Sequence, residues 1–191
     1  TDILGLCFGQ SVHRIVKSAK KVPATQKTAA VVAGEDWEDI RSEEQAYDQF
    51  LARIKSLAPN GFAGMYRLWK KDEQRIAYGI FGMSGHINGY WLLSDAVARD
   101  HSRLADFKKK DGQESLFADD PEYNADLKKF NRLIEVSRPV LTANPTYKGK
   151  QLGQHILREY QDEFFGQYAE KDYNRAIREI RGNNDQGTDH A

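Results

Sequence analysis

The sequence predicts an α/β fold, on three observations. The opening "DILGLCF" (2–8) is a short, continuous apolar run, the pattern of a strand buried on both faces. Amphipathic stretches with helical spacing follow it. Then "FAGMYRLWK" (62–70) and "RIAYGIFGM" (75–83), rich in Tyr, Phe, Ile and Trp and joined by polar "KDEQ", read as an antiparallel hairpin turning near Lys71-Asp72-Glu73.

Each element can be justified in order. In "QSVHRIVKSAKK" the residues Val12, Ile15 and Val16 share a helical face, and Arg14, Lys17, Lys20 and Lys21 take the other faces. Residues 35–48 reverse the charge, with Glu35, Asp36, Glu38, Asp39, Glu43, Glu44 and Asp48 against Arg41. Both runs read first as solvated helix surface. The clearest helix spans 43–57. Ser42 and Gln45 have the spacing of a capping box, and Tyr47, Phe50, Leu51, Ile54 and Leu57 form one stripe. Pro59-Asn60-Gly61 ends it, because proline cannot continue the ladder and Asn-Gly favours a turn.

Within the hairpin, Gly79 and Gly82 weaken the second strand, or mark a bulge or a close approach of another backbone. The Ser84-Gly85-His86 turn then leads into a helix from about Gly89, with Tyr90, Leu93 and Val97 on one face. A further helix over 121–136 opens on Asp120-Pro121, a good cap and first-turn pair, and is expected to bury Tyr123, Leu127, Phe130 and Ile134. The prolines and weak periodicity of "SRPVLTANPTYKGK" place a boundary at 138/139. This divides an α/β region, 1–138, from a helical region, 139–191. The latter holds "QLGQHILREYQDEF", "AEKDYNRAIREIR" and a polar tail, "GNNDQGTDHA", expected to be disordered.

Composition narrows the function classes. The chain has 191 residues, 40% of them hydrophobic, which is enough for a core. Its 28 Lys and Arg balance 28 Asp and Glu, so the net charge of zero gives no global pull toward nucleic acid or anionic membrane. No apolar run approaches the roughly 18 residues of a membrane span, so no membrane association is expected. The one cysteine, Cys7, excludes an internal disulfide framework and suggests a reducing, cytoplasmic location. A chain that enters a strand directly from Thr1 is expected to be processed or cut from something longer.

Sites were weighed against blander roles. His13, His86, His101, His155 and His190 are scattered outside any metal-ligand spacing, so no metal site is expected. "GIFGMSG" lacks the paired glycines that bring backbone to a pyrophosphate. Ser84, His86 and Asp95 are the catalytic candidates, although no GxSxG elbow exposes the serine. The bland reading has Ser84 or Asn88 capping a helix while His86 bonds a carbonyl. The two carboxyl-terminal helices look like a helix-turn-helix pair, yet residues 148–181 carry seven basic and six acidic residues, a weak footprint for DNA. If nucleic acid binds, Arg14, Lys17, Lys20, Lys21, Arg175, Arg178 and Arg181 are the phosphate contacts.

The order of elements is similar to the end of a class I, S-adenosylmethionine-dependent methyltransferase sheet, and the motifs sharpen the likeness. "SGHINGYWLLSDAV" resembles a segment of the three-Cys-motif partner family, in which Ser or Thr, any residue, His, and Gly three further on precede a helix. Ser84, His86, Gly89, Asp95 and Ala96 match it, whereas Ile87 replaces the usual Pro, and Leu93 and Ser94 replace a Met-Lys pair. "DILGLCFG" resembles the family's strand after its Asp-Pro motif, and "GEDWEDI", with Trp37, its acidic-Trp segment. "GQESLF" resembles its Gln-x-x-Leu-Phe stretch and "KDYNRAIREI" its winged-helix-like end.

The resemblance implies the carboxyl-terminal half of a Rossmann-like methyltransferase sheet, followed by a small helical, incomplete winged-helix-like region. It implies a protein partner or a missing amino-terminal half, and nucleic acid as an additional partner. The family's glycine loop and Asp-Pro motif have no counterpart here. No cofactor is therefore expected in this chain, with S-adenosylmethionine belonging to a longer parent protein. Such a half-sheet would leave Ile3, Leu4, Leu6 and Phe8 uncovered. The alternative is a non-catalytic protein-interaction module.

Overall fold

The computed structural model describes residues 2–7, 9–69, 76–110 and 121–185. The expected turn at 71–73 and the "GQESLF" stretch lie outside them. So does the end of the tail, whose start is helical. The fold is mixed α/β, mostly helical, with one small antiparallel sheet. The chain divides into two compact units, Thr1–Leu93 and Ser94–Ala191.

The first unit is built on three strands. β1 (Asp2–Cys7), β2 (Phe62–Trp69) and β3 (Ile76–Ser84) are ordered β1-β3-β2, and β3 runs antiparallel to both neighbours. β1 and β2 are therefore parallel to each other. Their connection is helical, as parallel strands require: α1 (Gly9–Ala19), a 3₁₀ turn at Pro23–Thr25, α2 (Gln26–Ala33), a 3₁₀ segment at Glu35–Asp39, and α3 (Glu43–Leu57).

Alternation along the strands assigns the two faces of the sheet. Cys7, Met65 and Phe81 share one face and pack with Val12 and Val16 of α1, Ala29 and Ala33 of α2, and Tyr47 and Leu51 of α3. Trp37 and Ile40 complete this core, so the acidic-Trp segment contributes its tryptophan to packing. Phe50 meets Phe81 edge to face at 5.4 Å, and Arg67 pairs with Asp48. On the opposite face Phe62 stacks on Tyr90, at 5.7 Å, in the first turn of α4 (Ile87–Lys110).

The expected capping box forms. Ser42 Oγ accepts the Gln45 N–H at 3.1 Å, and Gln45 Oε1 accepts the Ser42 N–H at 3.2 Å. Gly79 is a close-approach glycine, but to a side chain and not a backbone, since a Cβ there would stand 2.6 Å from Met65 Sδ. The bulge lies elsewhere, between Leu68 and Trp69.

One strand differs from expectation. β1 is not buried on both faces. It is the sheet edge, bonded to β3 alone among the described residues, with Ile3, Leu4 and Leu6 exposed by 39%, 49% and 57%. A continuous apolar run marks side chains that are suited to burial on both faces, but burial also needs a neighbour on each side.

The second unit is helical: the later part of α4, then α5 (Pro121–Ala143), α6 (Gly149–Glu159), the single turn α7 (Gln161–Phe164) and α8 (Glu170–Asp185). Position 138/139 falls inside α5, which continues through Pro139. Among the residues described by burial, which exclude Tyr123, its buried apolar side chains are Leu133, Val136, Val140 and Leu141. Leu127 is 44% exposed, and Phe130 and Ile134 are half-buried. Leu133 packs in a core that includes Leu152, Ile156 and Leu157 of α6, Phe164, Phe165 and Tyr173, all without measurable exposure.

Candidate functional site

The β3–α4 turn holds two of the catalytic candidates. Ser84 ends β3 and is fully buried. Its Oγ accepts the His86 N–H at 3.0 Å and can donate to Asp2 Oδ1, at 2.5 Å, or to the His86 carbonyl, at 2.8 Å. That carbonyl accepts the Tyr90 N–H at 3.0 Å, the first turn of α4. Ser84 therefore fixes the residue that opens the helix. Asp2 pairs with Ser84 across the sheet. At Gly89 a Cβ would stand 2.5 Å from Asp2 Oδ1 and 2.6 Å from Ser84 Oγ, so the motif glycine is required by close packing. A carboxylate beside a helix N-terminus is also favoured by the helix dipole. The His86 side chain is exposed.

Asp95 is buried in the second unit and already engaged. Its Oδ1 accepts the Glu170 N–H at 2.8 Å, at the start of α8, and its Oδ2 pairs with Arg99 at 2.7 Å. Its neighbour Ser94 accepts the Gly166 N–H at 2.9 Å. Both residues hold the α7–α8 connection against α4. Ser84 and Asp95 are thus each used to position a helix start.

The basic candidates also separate by environment. Arg14, Lys17 and Lys21 are exposed; the first two are three apart on α1, and Lys21 lies in the turn that follows it. Lys20 instead donates from Nζ to the Ile40 carbonyl at 2.9 Å, tying the end of α1 to the segment before α3. Arg175 lies over the Phe130 ring, 4.1 Å from its centroid.

Arg178 and Arg181 meet in a groove of about 960 Å³ between the Pro145–Lys148 loop and α8. Arg181 Nη2 donates to the Pro145 carbonyl at 2.5 Å and the Tyr147 carbonyl at 3.2 Å, pinning the loop along the helix. Asn174 Oδ1 accepts the Gly149 N–H at 3.2 Å and holds the start of α6 beside the same wall. Lys148 and Lys171 add two further cations, and Glu170 is the carboxylate among the lining residues. Lys171 belongs to the basic series Lys171, Arg175, Arg178 and Arg181 that the sequence shows along the last helix, whereas Lys148 is not among the sequence candidates. Lys171 stands seven residues before Arg178 on one face of a helix, a signal present in the spacing. Lys148 reaches the groove only through tertiary folding.

Elsewhere burial sets the chemistry. The Cys7 thiol is pushed up to about 12 by burial, so it stays protonated and is a poor nucleophile near neutral pH. Lys129 is lowered by burial, an effect partly offset by Asp126 and Asp172. Its ammonium sits over the Tyr168 ring at 5.2 Å. Among the described residues no group of three or more His, Cys, Asp or Glu side chains could hold a metal ion, and no helix is long and apolar enough to cross a membrane. No family model, curated protein or solved structure matches the chain.

Proposed function

We propose that this chain is the carboxyl-terminal portion of a methyltransferase-like protein of the three-Cys-motif partner kind, acting in the cytoplasm with a partner protein and on nucleic acid. The observation that carries this reading is the sheet. A strand, a helical crossover and an antiparallel pair in the order β1-β3-β2 match the way such a Rossmann-like sheet would end. The exposed apolar edge at β1 is where further strands of the missing half would add. Leaving Ile3, Leu4 and Leu6 partly uncovered forgoes roughly 2–4 kcal/mol of burial, and an edge of this kind invites pairing. The second unit, ending in α8, is read as the incomplete winged-helix-like region.

In this reading S-adenosylmethionine belongs to a longer parent protein. At the β3–α4 turn the Ser84 hydroxyl is engaged by the His86 N–H and carbonyl and by the Asp2 carboxylate. Cofactor binding is accordingly assigned to the missing half. A second reading, a non-catalytic interaction module, is favoured by the structural use of Ser84 and Asp95.

Sedimentation velocity and titration calorimetry on the 191-residue chain test the proposal. The chain should associate at micromolar concentration, Leu4→Lys with Leu6→Lys should make it monomeric, and S-adenosylmethionine should give no binding heat. A monomeric wild-type chain, or one that binds the cofactor at micromolar concentration, overturns the reading.

A further inference from the structure

We propose that the groove between the Pro145–Lys148 loop and α8 binds the sugar–phosphate backbone of a single-stranded nucleic acid. This deepens the nucleic-acid part of the function proposed above and rests on it. The lining carries Lys148, Lys171, Arg178 and Arg181 against Glu170, four cations less one carboxylate, an excess of three charges in a chain whose net charge is zero. Residues 148–181 look nearly neutral in sequence, but folding gathers the cations on one wall. Such local concentration attracts a polyanion where a whole-chain count does not.

The arrangement distinguishes a polymer from a small phosphate. Donors for a free phosphate converge on one point. Here Lys171, Arg178 and Arg181 follow one another along α8, a run of about 15 Å at 1.5 Å per residue. That rail is long enough to face several successive phosphates of one strand. Lys171 and Arg178 are exposed. Arg181 is bonded to two neutral carbonyls, so its charge is not cancelled.

The same pinning argues against a duplex. A helix that reads a major groove must stand clear of its own protein to enter it. This face of α8 is instead flanked by the Pro145–Lys148 loop. A single strand can lie in such a groove. Tyr147, half-buried in the same wall, supplies a ring on which an unstacked base can rest.

Fluorescence anisotropy with short labelled oligo(dT) and oligo(U) tests this on the full chain. Both should bind, with log affinity falling against log salt at a slope of about −2, as expected for three contacts to a single strand. Lys171→Glu with Arg178→Glu should weaken binding by about tenfold or more, and Arg14→Glu with Lys17→Glu and Lys21→Glu by no more than about twofold. Inorganic phosphate at constant ionic strength should not compete. If the α1 variant loses binding and the α8 variant keeps it, the groove assignment falls while the nucleic-acid reading stands. If neither oligonucleotide binds at low salt, the nucleic-acid reading falls with it. Equal binding of poly-glutamate, tighter binding of a duplex, or displacement by phosphate would each overturn the single-strand assignment.

Discussion

At the residue scale, the turn motif separates into structural and available side chains. Ser84 is buried and bonded to three groups, and Gly89 is required because Asp2 and Ser84 occupy the space a Cβ would need. The His86 side chain, by contrast, is exposed. Ser84→Ala should therefore lower unfolding stability by about 1–3 kcal/mol, because the Asp2 carboxylate loses a donor and the part-buried His86 N–H loses its acceptor. His86→Ala should stay within about 1 kcal/mol of wild type. Urea unfolding of both variants checks this. A large loss at His86 and none at Ser84 would return the turn to the opposite reading, with His86 as architecture and Ser84 free for chemistry. The bland alternative drawn from sequence had Ser84 or Asn88 capping the helix; Ser84 instead accepts the N–H of His86, the residue before α4 begins. Its partner Asp2 was not legible, because Asp2 and Ser84 are brought together only by strand pairing between distant segments.

At the element scale, α5 shows where periodicity stops being sufficient. Tyr123, Leu127, Phe130 and Ile134 form a valid helical stripe in the sequence, but so do Leu133, Val136, Val140 and Leu141. The second set is passed over when Pro139 is taken as a stop. In the fold the helix runs through that exposed proline, and the second stripe is the buried one. The intrinsic cost of an interior proline, about 3 kcal/mol, is offset by packing on the rest of the unit. Leu133→Ala should cost about 2–5 kcal/mol, whereas Leu127→Ala should change stability by less than about 1 kcal/mol. Equal losses in thermal or urea unfolding would contradict the packing. By contrast α3 was readable in its cap and most of its stripe, because the cap is formed by residues three apart and the stripe by residues within one helix; Leu57, at the end of that stripe, is instead 64% exposed. β1 was readable as an apolar strand from its residues, but its open edge was expected only through the family likeness, since the number of neighbours a strand has is decided by the sheet. Lys148 escaped notice for the same reason: its companions in the groove lie more than twenty residues downstream.

At the scale of the whole molecule, the two units differ in a way that makes their cooperativity measurable. The three tryptophans, Trp37, Trp69 and Trp91, all belong to the first unit. The second unit is entirely helical where it is described and has no tryptophan. Tryptophan fluorescence thus follows the first unit alone, while far-ultraviolet circular dichroism follows the helices of both. Each unit has its own buried core, one centred on Tyr47, Trp37 and Val16, the other on Leu133, Leu152 and Ile156. A unit with its own core can in principle unfold on its own. The continuous helix α4 is a weak coupler by itself, because helices draw most of their stability from packing and not from their ladder. Leu152→Ala removes a side chain with no measurable exposure from the second core, at a cost of about 2–5 kcal/mol. Independent units would give a circular dichroism profile whose helical transition moves to lower urea while the fluorescence midpoint stays in place. Coincident shifts of both probes would instead show that the chain folds as one cooperative body, and the division at Leu93 would then describe packing density without describing stability.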